Sequence, residues 1–323
     1  MRLLPPLSPS ILCIVNPDFC FNQNFNRERI NGYLYTNYNL RSNLNATIGF
    51  SYDSHHNPAG SIDYGRFNPK FGLQWDIFSN VRFRLAWFET TKSALVANQT
   101  IEPTQIAGFN QLYDDITGTK SRRMGIGVDT HYANIVFGGV EISQRDLEVP
   151  VVFNGINTSF QEQKENLYRS YLYWPISNQW VLRGEGQFER FSRDEVVNRR
   201  LVDPFSPHQI DTLSAPLSIS YFGAQGLFSS LIGTYVSQKI DRELTSAIYS
   251  GSTKQNEGKD GFFLVDAVLG FRLPKRRGMV SFEARNLLDE QFLYRNANFY
   301  LSEPTLPRFL PARTLLVRAT FNF

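Results

Sequence analysis

Thr314-Leu315-Leu316-Val317-Arg318-Ala319-Thr320-Phe321-Asn322-Phe323 closes the sequence, and its reading decides the fold. Leu315, Val317, Ala319, Phe321 and Phe323 are apolar, and they alternate with Thr314, Leu316, Arg318, Thr320 and Asn322, which are mostly polar. Side chains one residue apart on a strand point to opposite faces, so this pattern makes a strand with one greasy and one wet face. A tilted strand of about ten residues crosses the hydrocarbon core of a bilayer. An amphipathic strand of a soluble sandwich has the same pattern, so the rest of the chain has to decide.

The chain has 323 residues, of which 42% are apolar and 14% aromatic, with a net charge of +3. It contains no run of eighteen apolar residues, which a transmembrane helix would need. A membrane-spanning barrel escapes that test, because half of each strand faces a polar lumen. The pI of about 8.8 comes from scattered Lys and Arg, which gives no case for nucleic acid. Cys13 and Cys20 have no histidine nearby and do not form a metal-ligand pattern; they read as a small disulfide loop or two idle thiols. Near the start, Pro5, Pro6 and Pro9 break the apolar core that a signal peptide needs, and no small-residue cleavage site follows. The start therefore reads as truncated or misassigned, and residues 1–28 as an irregular segment holding at most one strand.

From residue 29 a rhythm of strand, short turn, strand and long polar loop sets in. Leu44, Ala46, Ile48, Phe50 and Tyr52 alternate with Asn45, Thr47, Gly49 and Ser51. Phe71, Leu73 and Trp75 alternate with Lys70, Gly72 and Gln74, and beyond Ser79-Asn80 the apolar Val81, Phe83, Leu85 and Trp87 alternate with Arg82, Arg84 and Ala86. Later strands repeat the pattern, most cleanly at Trp180, Leu182, Gly184, Gly186 and Phe188 against Val181, Arg183, Glu185, Gln187 and Glu189. Phe137-Gly138-Gly139-Val140 blurs it, which suggests a bulge. The segments Thr91 to Thr119, Pro150 to Gln163, Ser192 to Gln209 and Leu287 to Pro311 read as long loops. The count is about thirteen strands, and no domain boundary falls between residues 29 and 323.

Strict alternation of short turns with long loops is expected of an all-β, antiparallel outer-membrane barrel, with turns in the periplasm and loops outside. Arg82, Arg84, Arg183, Glu185, Glu189, Glu283, Arg285 and Arg318 would then line the lumen. The four tryptophans near strand ends would form girdles. With the C-terminus in the periplasm, every short turn falls there too, and the strand at Arg29 runs downward. A single-chain bacterial barrel begins with an upward strand and has an even number. Either Ile11 to Asn24 supplies a fourteenth strand, or the chain is the C-terminal part of a larger barrel.

The aromatic final residue of an amphipathic strand resembles the C-terminal assembly signal of outer-membrane barrels, carried here by Leu315, Val317, Ala319, Phe321 and Phe323. Phe282-Glu283-Ala284-Arg285-Asn286-Leu287-Leu288-Asp289-Glu290-Gln291-Phe292, followed by Arg313-Thr314, resembles the end of TonB-dependent receptors, with Asn286, Leu287 and Asp289 as the motif. Phe67-Asn68-Pro69-Lys70-Phe71-Gly72-Leu73-Gln74-Trp75 is similar to their mid-barrel strands. The resemblance implies a barrel of about twenty-two strands around a plug, of which this chain would supply strands ten to twenty-two. It implies a bacterial outer-membrane location, with membrane lipid and the barrel-assembly machinery as partners. A TonB-type energy transducer is a partner only of a protein that also carries a plug, and this chain has no plug domain.

The expected function is uptake of a siderophore or other large nutrient by such a receptor-like barrel. The alternative is a plug-less porin or exporter pore of about fourteen strands. Loops Thr91 to Thr119 and Leu287 to Pro311 would meet the ligand, with Arg82, Arg84, Arg183, Glu185 and Arg285 as lumenal candidates. His55, His56, His131 and His208 fall on loops or turns without a nucleophile or ligand pattern, so no catalytic residue, metal or cofactor is expected.

Overall fold

The computed structural model describes residues 28–56, 63–93, 102–133, 135–153, 157–194, 196–197, 200–201, 207–241, 258–294, 308–309 and 312–321. Thirteen strands form one antiparallel sheet, each paired with the next in chain order. They are β1 (Glu28–Arg41), β2 (Leu44–His56), β3 (Tyr64–Phe78), β4 (Val81–Thr91), β5 (Lys120–Tyr132), β6 (Val136–Phe153), β7 (Asn157–Pro175), β8 (Trp180–Arg193), β9 (Gln209–Phe222), β10 (Leu227–Asp241), β11 (Gly258–Leu273), β12 (Gly278–Arg285) and β13 (Thr314–Phe321). Among the described residues β1 and β13 pair with one neighbour each. Residues 1–27, including Cys13 and Cys20, and the final Asn322 and Phe323 lie outside the described residues.

The alternation in the sequence becomes two faces. Ile48, Phe71, Trp75, Met124, Ile142, Leu217, Leu231, Phe263, Phe282 and Val317 are exposed on one face. Ser51, Asn68, Lys70, Arg84, Arg123, Ser143, Arg145, Gln238 and Ser281 are buried on the other. A soluble sheet would bury the apolar set, so this inversion is the signature of a lipid-facing barrel wall. On the outer face, Trp174 and Trp180 flank one short turn, and the Trp180 ring lies 4.9 Å from Tyr221. Trp87, on β4, marks the other border. The next outward residue, Glu89, pairs with Arg122 at 2.9 Å and Lys120 at 3.2 Å. In the same row Arg122 stands opposite Asp146, and Asp146 opposite Lys164, giving alternating signs across β4, β5, β6 and β7. Charges on the lipid side are costly at the bilayer midplane and tolerated near its borders, so this charged row ends the apolar band. Opposite signs on directly facing residues also favour the strand pairing there.

Two departures from the sequence reading have local causes. The expected loop Pro150 to Gln163 is mostly strand, because β6 runs to Phe153 and β7 starts at Asn157. Leu147, Val149 and Val151 continue the alternation on the buried face. Pro150 is tolerated because the ladder between β5 and β6 has already ended, at the pair Lys120–Glu148. From there β6 has β7 as its neighbour on one side, with Pro150 opposite Phe160, so the missing N–H costs no ladder bond on the other. The bulge expected at Phe137-Gly138-Gly139-Val140 is absent, and β5 and β6 keep one register through it. Gly139 serves the packing instead. A Cβ there would lie 2.7 Å from the Tyr171 hydroxyl and 2.8 Å from Asp129 Oδ1, so glycine leaves room for Tyr171 to donate to Asp129 at 2.7 Å.

Candidate functional site in the lumen

The site is built from the inward positions of β3, β4 and β5 and from the segment that joins β4 to β5. Residues 105–110 of that segment form a short hairpin, with Gln105–Ile106 paired to Phe109–Asn110. Its tip, Ala107 and Gly108, has φ of 48° and 86°, the two-residue left-handed turn that suits a tight hairpin. The hairpin folds onto the wall, where Ile106, Ala107 and Phe109 pack with Ala86 and Phe88. Phe109 is 0% exposed.

The wall is hollowed to receive it. A Cβ on Gly125 would collide with the Phe109 ring, and one on Gly72 would lie 2.7 Å from Ile106 Cγ2. Arg84 supports the tip. Its Nε and Nη2 donate to Asp129 at 2.6 and 3.1 Å, and its guanidinium carbon lies 5.0 Å from the centre of the Phe109 ring. Glu141 is a further partner at 3.5 Å. Removing one partner from a buried ionic group leaves the other charge uncompensated, so the two carboxylates hold the guanidinium where the hairpin needs it.

Above the tip a polar network fastens the hairpin's base. The Lys70 side chain is 0% exposed and lies 3.5 Å from Glu102. Its Nζ donates to Gln111 Oε1 at 2.8 Å and to the Glu89 carbonyl at 2.9 Å. The hydroxyls of Tyr35 and Tyr113 donate to Glu102 at 2.8 and 3.0 Å. Arg123 donates to the Asn110 carbonyl at 3.0 Å and to Ser143 at 2.9 Å. Arg145 holds Asp115, and donates to Glu165 at 3.1 Å. Burial pushes the Asp115 carboxyl up to about 6, against the pull of the Arg145 guanidinium. Burial also raises the Tyr113 hydroxyl, with the Glu102 charge adding to it, so Tyr113 stays a donor. Beside the hairpin a cavity of about 160 Å³ is lined by Arg123, Arg145, Glu165, Glu189, Phe191 and Thr212, among others.

The five lumenal candidates from the sequence do not converge. Arg82 is bidentate on Asp76, at 2.6 and 3.0 Å, near the short turn between β3 and β4. Arg183 and Arg169 share Glu185, at 3.4 and 2.6 Å. Arg285 and Arg318 share Glu283, at 3.3 and 3.7 Å. Arg84 alone of the five touches the hairpin. The sequence reading sends the Thr91 to Thr119 segment outward to a ligand, whereas its described part turns inward onto the wall. The signal for this is the row of glycines at inward positions on β3 and β5, Gly72, Gly125 and Gly127, which leaves the wall without side chains. The last long segment also turns in: Phe292 stacks on the inward Phe262 at 4.0 Å, with Val236 in the same cluster.

The Asn286-Leu287-Leu288-Asp289 motif is a structural clasp. Asn286 has φ of 48° and is buried, and its side chain closes a ring with Glu290, accepting from the Glu290 N–H and donating to the Glu290 carbonyl, both at 2.8 Å. Asp289 accepts from the Arg313 N–H at 2.8 Å, just ahead of β13. Asparagine is suited to this left-handed position because its short amide bonds to the local backbone. Asn286→Ala is expected to cost about 2–3 kcal/mol, from two lost hydrogen bonds and the left-handed backbone. Urea unfolding of the protein in detergent micelles measures this; an unchanged midpoint would remove the clasp as a stabilising feature. Asn286→Gly, which keeps the backbone but loses the bonds, should fall between.

No family model matches the sequence, and no curated protein matches it. Solved structures do. The FrpB iron transporter from Neisseria meningitidis superposes with a TM-score of 0.63 at 13% identity, over 98% of this chain and 48% of its own. The ferric-catecholate import receptor Fiu from E. coli K12 gives 0.59 at 16% identity, over 93% and 45%. The ferripyoverdine receptor of the outer membrane of Pseudomonas aeruginosa gives 0.60 at 15%, over 93% and 39%. The chain thus spans less than half the length of each of these structures. Paired strand by strand in chain order, apolar outside and ionic within, the chain has the fold of a part of the TonB-dependent receptor barrel.

Proposed function

We propose that the chain forms part of the barrel of an outer-membrane receptor that takes up a siderophore or another large nutrient. The observation that carries this reading is the superposition of nearly the whole chain on iron-receptor barrels, with an ionic inner face. The ligand contacts would come from inward residues and from the long segments. Arg82, Arg84, Arg183, Glu185 and Arg285 stay as lumenal candidates, and residues 29–323 as one barrel unit. Lipid on the outer face, the assembly machinery at β13 and, for a protein with a plug, a TonB-type transducer are the partners this reading implies. An inner face partly covered by two inward segments favours it over an open pore of about fourteen strands.

Uptake of radio-iron as catecholate, hydroxamate and citrate chelates by cells with and without the protein tests the reading. Uptake of one class that depends on the protein is expected. Equal uptake of all of them, together with unaltered growth on other large nutrients, would overturn it.

A further inference from the structure

We propose that the outer face of β8–β11 carries a docking site for a phosphorylated glycolipid of the outer leaflet. The site lies on the lipid side of the wall, so it depends neither on what crosses the barrel nor on what fills its lumen. β9 and β10, at its centre, already have both of their neighbours in the sheet. The ladder sets Arg190 opposite Asp211, Asp211 opposite Lys239 and Lys239 opposite Lys259. Arg190, Lys239 and Lys259 are exposed. Below them the same strands turn Leu213, Tyr235 and Phe263 outward, all exposed. About ten residues of β8 separate this row from Trp180 at the other border, the length of a strand that crosses the hydrocarbon core. The row therefore stands at headgroup level. It differs from the charged row on β4–β7, where the signs alternate. Here three cations share a row with one carboxylate, and Arg190 takes up Asp211 in two hydrogen bonds of 2.8 Å. Like charges that face each other directly oppose strand pairing, and an anion set between Lys239 and Lys259 offsets this. Lysine is a flexible point charge suited to phosphate. The Arg190 guanidinium carbon lies 5.8 Å from the centre of the Phe188 ring, so charge and apolar surface meet at one line. An occupant has to lay apolar chains on Leu213, Tyr235 and Phe263 and hold an acidic head above them. A phosphorylated glycolipid does both, and anionic headgroups attract basic residues at the membrane border.

Native mass spectrometry of the protein in detergent micelles, titrated with bisphosphorylated lipid A, tests this. A complex with the lipid is expected. Lys239→Gln with Lys259→Gln should weaken it by about tenfold or more. Lys239→Arg with Lys259→Arg keeps both charges and should retain it. Lys164→Gln, in the row where the signs alternate, should leave it unchanged. Both lysines are exposed, so the glutamine variant is expected to fold, and unaltered urea unfolding in micelles checks that. No complex with the parent, or equal binding by the parent and the glutamine variant, would overturn the proposal. Equal binding of lipid A stripped of its phosphates would reduce the contact to apolar chains alone. Displacement of the lipid by inorganic phosphate at the same concentration would make this a site for the free ion and not for a lipid. A mass of two chains without lipid would give the face to a second copy. Each of these three results would also overturn it. The measurement involves no transport, so the uptake reading can fail while this one stands.

Discussion

Phe109→Ala should release the hairpin from the wall. The ring is fully buried, and truncating a buried phenylalanine costs about 3–5 kcal/mol through lost transfer energy and the cavity left behind. The loss falls on a local unit, so hydrogen exchange reads it better than global unfolding. The Gln111 N–H, bonded to the Thr104 carbonyl at 2.8 Å, closes the base of the hairpin. Its exchange should quicken by about two to three orders of magnitude, at about 1.4 kcal/mol for each tenfold. Amides in the middle of β8 and β9 should not change. If the Gln111 amide exchanges as slowly in the variant as in the parent, the ring does not hold the hairpin.

The second large effect is expected at Val317, which is 76% exposed on the outer face of β13. Val317→Arg would set a guanidinium against lipid, at a cost of about 2–4 kcal/mol near the middle of the bilayer. Leu316 faces the other way and stands opposite Glu283. Leu316→Arg should therefore cost less than about 1 kcal/mol, since the new charge meets water and a carboxylate. Urea titration of folding into phospholipid vesicles measures both. Equal penalties at 316 and 317 would mean that β13 does not present one face to lipid. A one-residue step moves a side chain to the opposite face of a strand, so the pair tests register directly.

The sequence by itself determined the strands, their order and which face of each meets lipid. These follow from period-two alternation, and from the spacing of short turns and long segments, both of which are local. The Asn286-Leu287-Leu288-Asp289 segment stood out only by its resemblance to a family motif; that Asn286 and Asp289 bind backbone a few residues away and at the start of the next strand came from the structure. What the 102–119 segment does was decided by tertiary structure. Ile106 and Phe109 are apolar residues in a polar loop, and nothing near them in sequence says what they bury against. Their partners are Gly72 and Gly125, on strands that come together only when the sheet forms. The same holds for Arg84. Its alternation placed it on the inner face, but its pairing with Asp129 and its contact with Phe109 depend on which strands are neighbours and on a loop returning between them. Alternation fixes a side chain's face; only packing fixes what it meets there.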